Sequence, residues 1–327
     1  MSTHGVSLHT ELALTKNLNP VRGALFGIVG GEFPTFVWKS EDRTVAGFIQ
    51  VCLNDEAPLA HILYLSSTSN TAVTDDVPPT AVSPANGQLP DMLNEQAWLT
   101  LLDKAVVEVG RRGFHSLVAE VSEIGPELPI LRRAGFVVYT RQDVWMLNEV
   151  INDIQADILR PRQEVDDWDI QLLYANTVPR LVQMVEPMPP LDESAGWVLR
   201  EDGELAAFIH IHTGSAATWM RLFVHPNAEA RVDEILTAVV QLSPLTLTHP
   251  IYCCVRRYQS WVQGALERAG FTLWGSQAVM VKHTVQQQTR KPIPDLSALL
   301  DAQPISPTTP IVHSYGDDWR VRRVNRD

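Results

Sequence analysis

Apolar residues in this chain recur with two periods, and stretches of the two kinds alternate in a set order. Bulky and β-branched residues cluster between turn signals at 35–39, 45–53 and 60–65, which predicts strands. Leu99, Leu102, Val106 and Val109 fall at helical spacing, so 93–111 is predicted helical, ended by Gly113. A short apolar strand at 116–121, a helix ending at Ala134 before Gly135, and a strand at 136–147 complete this part. After a polar stretch the pattern restarts, with a strand at 169–174, a helix at 179–185 and strands at 197–200, 205–213 and 218–224. A helix at 230–242, a strand at 252–255, a helix at 259–269 and a strand at 271–283 follow. The alternation predicts an α/β fold, a mixed, mostly antiparallel sheet flanked by helices.

The restart is an internal repeat. EDRTVAGFIQV at 41–51 and EDGELAAFIHI at 201–211 stand 160 positions apart, whereas RRAGF ending at Phe136 and ERAGF ending at Phe271 stand 135 apart. The first copy therefore carries about 25 extra residues. They fall at 66–90, a stretch rich in Ser, Thr, Pro, Asn and Asp without periodicity, read as an inserted loop, either disordered or a lid. The expected organisation is a domain at 1–150 with the insertion at about 66–90, a linker at 151–167, a second domain at 168–285 and a Pro-rich tail at 286–327.

Composition narrows the class. At 327 residues and 36.5 kDa, with 45% hydrophobic and 20% charged residues, the chain is long enough for about two packed domains and is neither collagen-like nor wholly disordered. A net charge of −12 disfavours nucleic acid and anionic membranes as partners. Three cysteines, two of them adjacent (Cys253 and Cys254), suit a reducing compartment and buried structural roles. The first residues lack a basic and then apolar leader pattern, and no stretch reaches about 18 apolar residues, so a cytoplasmic location without a membrane span is expected.

The strands feeding a helix, followed by a strand and a short helix closed by Gly-Phe, appear as LVAEV with LRRAGF and again as YCCVRR with LERAGF. LFVHP at 222–226 ends the central strand of the second copy. Together these features resemble the GNAT (Gcn5-related N-acetyltransferase) superfamily, present twice in tandem over 35–147 and 169–283. The resemblance implies acetyl-CoA or another acyl-CoA as co-substrate, bound where the central strand splays from its neighbour, with pyrophosphate on helix-start amides. Residue by residue, that places Leu63, Leu65 and Ser66 of the first half and Leu222, Val224, Ala230, Arg231 and Val232 of the second at the acyl-CoA site. The amide of Leu65 or Val224 would polarise the thioester carbonyl. The phosphate motif departs from the family's: Glu229 stands where it prefers Arg, Ala230 for a Gly, and Val232 and Glu234 at the other usual glycines. Leu131 and Leu266 stand where a Tyr often serves as the general acid.

Candidate bases are His61, His210 and His212, whose imidazoles suit proton abstraction near neutrality. A metal site joining His210, His212 and His225 is opposed by strand geometry, because a hairpin through Gly214 pairs His225 near Ala206 or Ala207, about 10 Å or more along the strand from His212. Gly30-Gly31 lacks the context of a nucleotide-binding loop. The expected function is transfer of an acetyl or acyl group from acyl-CoA to the amine of a small molecule or peptide. The alternative is a catalytically degenerate tandem protein that binds a ligand or another protein. A transferase using charged tRNA fits the net charge poorly.

Overall fold

The computed structural model describes residues 2–16, 33–41, 45–54, 57–69, 88–148, 157–189, 191, 195–242 and 249–284. By its contacts the chain divides into units 1–286 and 287–327, the latter, like the central stretch of the predicted insertion and Gly30-Gly31, lying outside the described residues.

Among the described residues, twelve strands form one mixed sheet flanked by helices. The first half contributes β1 (Ser2–Ser7), β2 (Thr35–Lys39), β3 (Val45–Asn54), β4 (Leu59–Ser69), β5 (Ser116–Ser122) and β6 (Val137–Leu147), with helices α1 (Thr10–Thr15), α2 (Gln88–Arg111) and α3 (Glu127–Arg133). The second contributes β7 (Arg160–Pro161), β8 (Ala195–Glu201), β9 (Glu204–Thr213), β10 (Thr218–Val224), β11 (Ile251–Arg256) and β12 (Thr272–His283). Its helices are α4 (Asp167–Thr177), α5 (Arg180–Gln183), α6 (Val232–Leu242) and α7 (Gln263–Arg268). Short 3₁₀ turns at Pro226–Arg231 and Arg257–Val262 lead into α6 and α7.

The strand order is β2-β3-β4-β5-β12-β6-β11-β10-β9-β8-β7, with β1 paired to β4. The last strand of each half is exchanged. β12 lies between β5 and β6, and β6 lies between β12 and β11, all antiparallel. The order is therefore symmetric about the β6/β12 pair, and neither half's sheet is complete without the other's final strand.

The repeated sequence marks have concrete causes. In both halves a helix ends on a left-handed glycine, Gly135 (φ 87°) or Gly270 (φ 90°). Phe136 and Phe271 then donate backward to the carbonyls of Leu131 and Leu266 at 3.0 and 2.9 Å. All four side chains are buried, so each Ala-Gly-Phe signature is a helix stop with its apolar clasp. Asp202 (φ 50°) and Gly203 (φ 88°) form the two-residue turn joining β8 to β9, a backbone shape that favours this pair.

Three expectations change. Residues 169–174 belong to a helix, α4, not a strand: Ile170 and Leu173 are buried while Leu172 and Trp168 are exposed. Alternation in DIQL imitates a strand, but Asp166 at the helix start binds Arg160 through two 2.7 Å contacts and also Arg200, and Arg162 clamps Asp167 at 2.7 and 2.8 Å. That network places carboxylates at the helix N-terminus, where the dipole favours them. At the insertion, β4 continues to Ser69 and α2 begins at Gln88, so regular structure enters the 66–90 stretch from both ends. Finally, β1 and α1 were unforeseen, because STHGVS carries almost no apolar signal.

α2 and α3 pack Leu101, Leu102, Ala105, Val109 and Leu131 against β3, β4, β5 and β12. α6 and α7 pack Ile235, Leu236, Val239 and Leu266 against β9, β10 and β11. Following the register through β12 and β6 puts all four helices on one face of the sheet. The opposite face carries α1, α4 and residues 185–189, and it is where the polar chemistry lies. No helix among the described residues is long and apolar enough to cross a membrane.

Candidate functional site

Each half contains one place where two parallel strands part. In the first, β4 and β5 are in register only from Leu59/Ser116 to His61/Val118. The N-terminal segment enters the gap beyond. β1 runs antiparallel to β4, with Val6 opposite Leu65 and Gly5 opposite Ser66. Leu8 donates its amide to the Leu63 carbonyl at 3.0 Å and accepts from the Glu120 amide at 2.8 Å, thereby bridging the parted strands, and its side chain is wholly buried. The Ser7 hydroxyl also donates to Leu63. Leu65 and Ser66 are paired to β3 on their other edge. The strand edge at Leu63, Leu65 and Ser66 that the resemblance assigns to a thioester is thus covered by the chain's own strand.

In the second half, β10 and β11 are in register from Thr218/Ile251 to Arg221/Cys254 and then diverge. Here a side chain crosses the gap: the Gln259 amide donates to the Leu222 carbonyl at 3.3 Å. Leu222 and Val224 are buried against the α6 side. At the start of the following helix, His225 Nδ1 accepts from the Asn227 amide and the His225 carbonyl accepts from Ala228 at 2.9 Å. Ala230 is exposed, Val232 is buried in the core, and Arg231 is engaged by Glu201 and by Glu234. With Glu229, Asp233 and Glu234 around this helix start, its positive end is already compensated, and the residues present do not fit a pyrophosphate. Leu131 and Leu266 are core residues without acid chemistry.

Between the two partings lies a cavity of about 540 Å³. His61, Val118 and Glu120 reach it from the first half, and Trp219, Arg221, Cys254 and Arg256 from the second. His9 and Glu11 of the N-terminal segment and residues 185–189 also line it. Glu186 is the hub: one carboxylate oxygen meets Arg221, and Arg256 at 2.5 Å. Burial alone would raise the Glu186 pKa, but the two guanidiniums hold it below the ordinary carboxylate value. Arg256 is likewise opposed by burial and is raised overall by the Glu186 charge. Burial, reinforced by His9 with its ring 4.9 Å away, lowers His61 to about 4, so its imidazole is neutral at pH 7. Burial pushes the Cys254 thiol up to about 12, which makes it a poor nucleophile. Three buried polar atoms of the lining side chains have no hydrogen-bond partner: Arg256 Nη1, Trp219 Nε1 and Glu186 Oε2.

The structure separates the histidines singled out by sequence. His61 faces the cavity. His210 is buried beside Arg221 in the β9/β10 register, lowered to about 4 chiefly by burial, and neither ring nitrogen has a partner. His212 bonds Glu11 at 2.8 Å, which raises its pKa. For Glu11, burial acts upward, but the His212 bond and the His9 and Arg221 charges bring it down to about 2. The hairpin register is as expected, with Val224 opposite Ala207 and the His225 amide bonded to Ala206. Cys253 and Cys254 point to opposite faces of β11, as adjacent strand residues must. Sequence reasoning missed Glu11, Glu120, Glu186, Arg221 and Arg256. For three of them a signal existed, a charge set inside an apolar strand in SLVAEVS and TWMRLFV and at the end of one in IYCCVR.

The sequence matches no protein-family model and no curated protein. Similar solved structures include a GCN5-related N-acetyltransferase from Kribbella flavida, at 13% identity over 80% of this chain and 94% of that one, TM-score 0.44. A tandem GNAT protein from the clavulanic acid biosynthesis pathway matches at 13% identity over 86% of this chain and 98% of that one, TM-score 0.43. A GCN5-related N-acetyltransferase from Sphaerobacter thermophilus matches at 10% identity over 86% and 95%, TM-score 0.40. On its own strand order, with a parted parallel pair and a glycine-closed helix in each half, the fold is GNAT-like twice over.

Proposed function

We propose that this doubly GNAT-like chain works as a ligand-binding protein that holds a small polar molecule in the central cavity. One observation carries this reading: charged side chains from both halves, Glu120 from the first and Arg221 and Arg256 from the second, converge with Glu186 on a single cavity. The volume falls in the range of small-molecule sites, roughly 300–1,000 Å³. The same reading accounts for the two partings. The first is closed by β1, and the second leads to a helix start whose carboxylates disfavour phosphate.

The test is thermal denaturation of the full chain with a panel of small carboxylates, amines and amino acids beside acetyl-CoA. A ligand at 100 times its Kd adds about 2.7 kcal/mol, a shift of a few degrees for a unit of this size. Saturable stabilisation by a panel member, lost in Arg256→Met, is the expected result. Stabilisation by acetyl-CoA alone, with no response to a desulfo control, defeats the reading.

A second reading keeps acyl transfer to an amine in the second half. It is favoured by the position of the Arg221/Cys254 parting, which opens at the cavity wall where an acceptor would sit. The protein would act there mainly by positioning, with a strand amide near Val224 polarising the carbonyl. Amine-dependent release of free thiol from acetyl-CoA, unaffected by loss of β1, is its signature.

A further inference from the structure

Away from the cavity, one stretch of surface stands apart. Five of the twelve large apolar side chains exposed among the described residues fall within 165–184: Val165, Trp168, Leu172, Leu181 and Met184. Along α4 and the 3₁₀ turn Glu164–Asp166 that precedes it, the exposed apolar positions are Val165, Trp168, Leu172 and Ala175. Their spacing of three, four and three is that of a coiled-coil seam, and at about 100° per residue it holds them within an arc of about 80°. Ile170 and Leu173, which anchor α4 on the sheet, lie on the other side of the helix. α4 thus carries two apolar stripes, and the chain covers one of them. Trp168 is 72% exposed, and a contiguous stripe of this kind in water marks a surface for a partner.

Shape and charge along the stripe match the stripe itself, run backwards. At its C-terminal end Ala175, Arg180, Gln183 and Met184 line a hollow of about 430 Å³. At its N-terminal end Val165 projects, 74% exposed. Glu164 and Arg180 are exposed at these opposite ends, and neither is in an ion pair among the described residues. A twofold axis across the middle of α4 lays two copies antiparallel. Trp168 then meets Leu172 of the second copy, Val165 enters the hollow beside Ala175 of the second copy, and Glu164 faces Arg180 of the second copy, each contact occurring twice. A parallel pairing sets Glu164 against Glu164 and leaves both hollows empty. We infer that the chain forms an isologous dimer through the outer face of α4, with the two α4 helices antiparallel. Taking these side chains out of water on both copies buries on the order of 1,000–1,200 Å², the small end of specific interfaces, which corresponds to a micromolar dimer. α4 and α5 lead into residues 185–189, and the Tyr174 hydroxyl donates to the Glu186 carbonyl at 2.5 Å, so the paired helices back the segment that carries Glu186.

Sedimentation velocity of the full chain from about 1 to 200 μM is the test. The expected result is a concentration-dependent passage from a 36.5 kDa species to one of twice that mass, with a Kd of roughly 1–50 μM. Trp168→Glu alters a side chain that already faces solvent, so the dilute chain melts within about 2 °C of wild type, while dimerisation weakens at least about 30-fold. Glu164→Arg and Arg180→Glu each weaken the dimer about three- to tenfold, because each creates two like-charge contacts. The chain carrying both exchanges returns to within about twofold of wild type, a rescue that only the antiparallel pairing gives. A chain that stays monomeric to about 200 μM overturns the inference and leaves the face to a different protein. A dimer indifferent to Trp168→Glu overturns it by placing the interface elsewhere. A dimer lost in Trp168→Glu but not rescued by the double charge exchange overturns the antiparallel arrangement.

Discussion

The two halves open the same gap in the same fold and fill it with different chemistry. In the first, a backbone strand enters: β1 supplies amides and carbonyls in register, and Leu8 joins β4 to β5. In the second, side chains meet: Gln259 caps Leu222, and Glu186 with Arg221 and Arg256 stands at the mouth. A strand satisfies a sheet edge almost independently of pH and salt. A charge network depends on ionisation. The first gap has become structure, and the second has kept the features of a site.

The comparison is broken most forcefully at Glu186. Glu186→Gln leaves two buried guanidiniums without their carboxylate and is expected to cost about 3–5 kcal/mol in urea denaturation, while amide protection along β1 is unchanged. Leu8→Ala should cost about 2–5 kcal/mol through a cavity in the first-half core. Hydrogen exchange should then show the Glu120 amide deprotected and the second-half strands as before. If the two substitutions loosen the same amides, the halves are not energetically distinct in this way.

Acid sharpens the contrast. Asp166 is held low chiefly by its hydrogen bonds with Arg160, against the opposing effect of burial, and Glu186 is held low despite its burial by Arg221 and Arg256. A carboxylate with a depressed folded pKa contributes stability above its unfolded value, near 4, and loses it as pH falls through the folded value. Titration below pH 4 should therefore loosen α4 and the second-half network before β1. Asp166→Asn should cost about 1.5–3 kcal/mol at pH 7 and remove part of that acid sensitivity. An acid transition unchanged by the substitution counts against the assignment.

The smallest effect concerns the segment that closes the first gap. Glu11 holds His212, and the Ala216 amide donates to the Thr15 carbonyl at 2.9 Å, so α1 is moored to the second half. The raised His212 pKa contributes stability below its unfolded value of about 6.5 and loses it as pH rises through the folded one, and Glu11 contributes above about 4.5. The partly exposed pair is worth less than about 1 kcal/mol. Protection of Ala216 should decline as pH rises above about 6.5, beyond the intrinsic exchange rate, and His212→Gln should abolish the decline. Gly214→Ala gives a harsher check, because its Cβ would stand 2.3 Å from the Thr15 carbonyl.

Much of the fold was legible in the chain because it rests on local rules. The helix stops before Phe136 and Phe271, the turn at Asp202-Gly203 and the hairpin register near Ala206 follow from residues close in sequence. Residues 169–174 misled because DIQL alternates like a strand, and their helix is set by arginines at 160, 162 and 200. The N-terminal strand left no trace because backbone pairing needs no apolar pattern. Of the site, only His61 was found, since a lone imidazole near a strand end is conspicuous, whereas Glu120, Arg221 and Arg256 read as ordinary charges until the cavity brings them together.

The sequence by itself determined that there are two similar halves, which residues form most of their strands and helices, and that the phosphate-binding glycines are missing. The tertiary structure alone decided that the final strands are exchanged, that β1 occupies one gap and that five charges surround one cavity. The physical reason is range. Turns, caps and amphipathic periods act over a few residues and are written locally, whereas an edge partner or a buried ion pair is chosen among groups tens to hundreds of positions apart, by the geometry of the packed sheet.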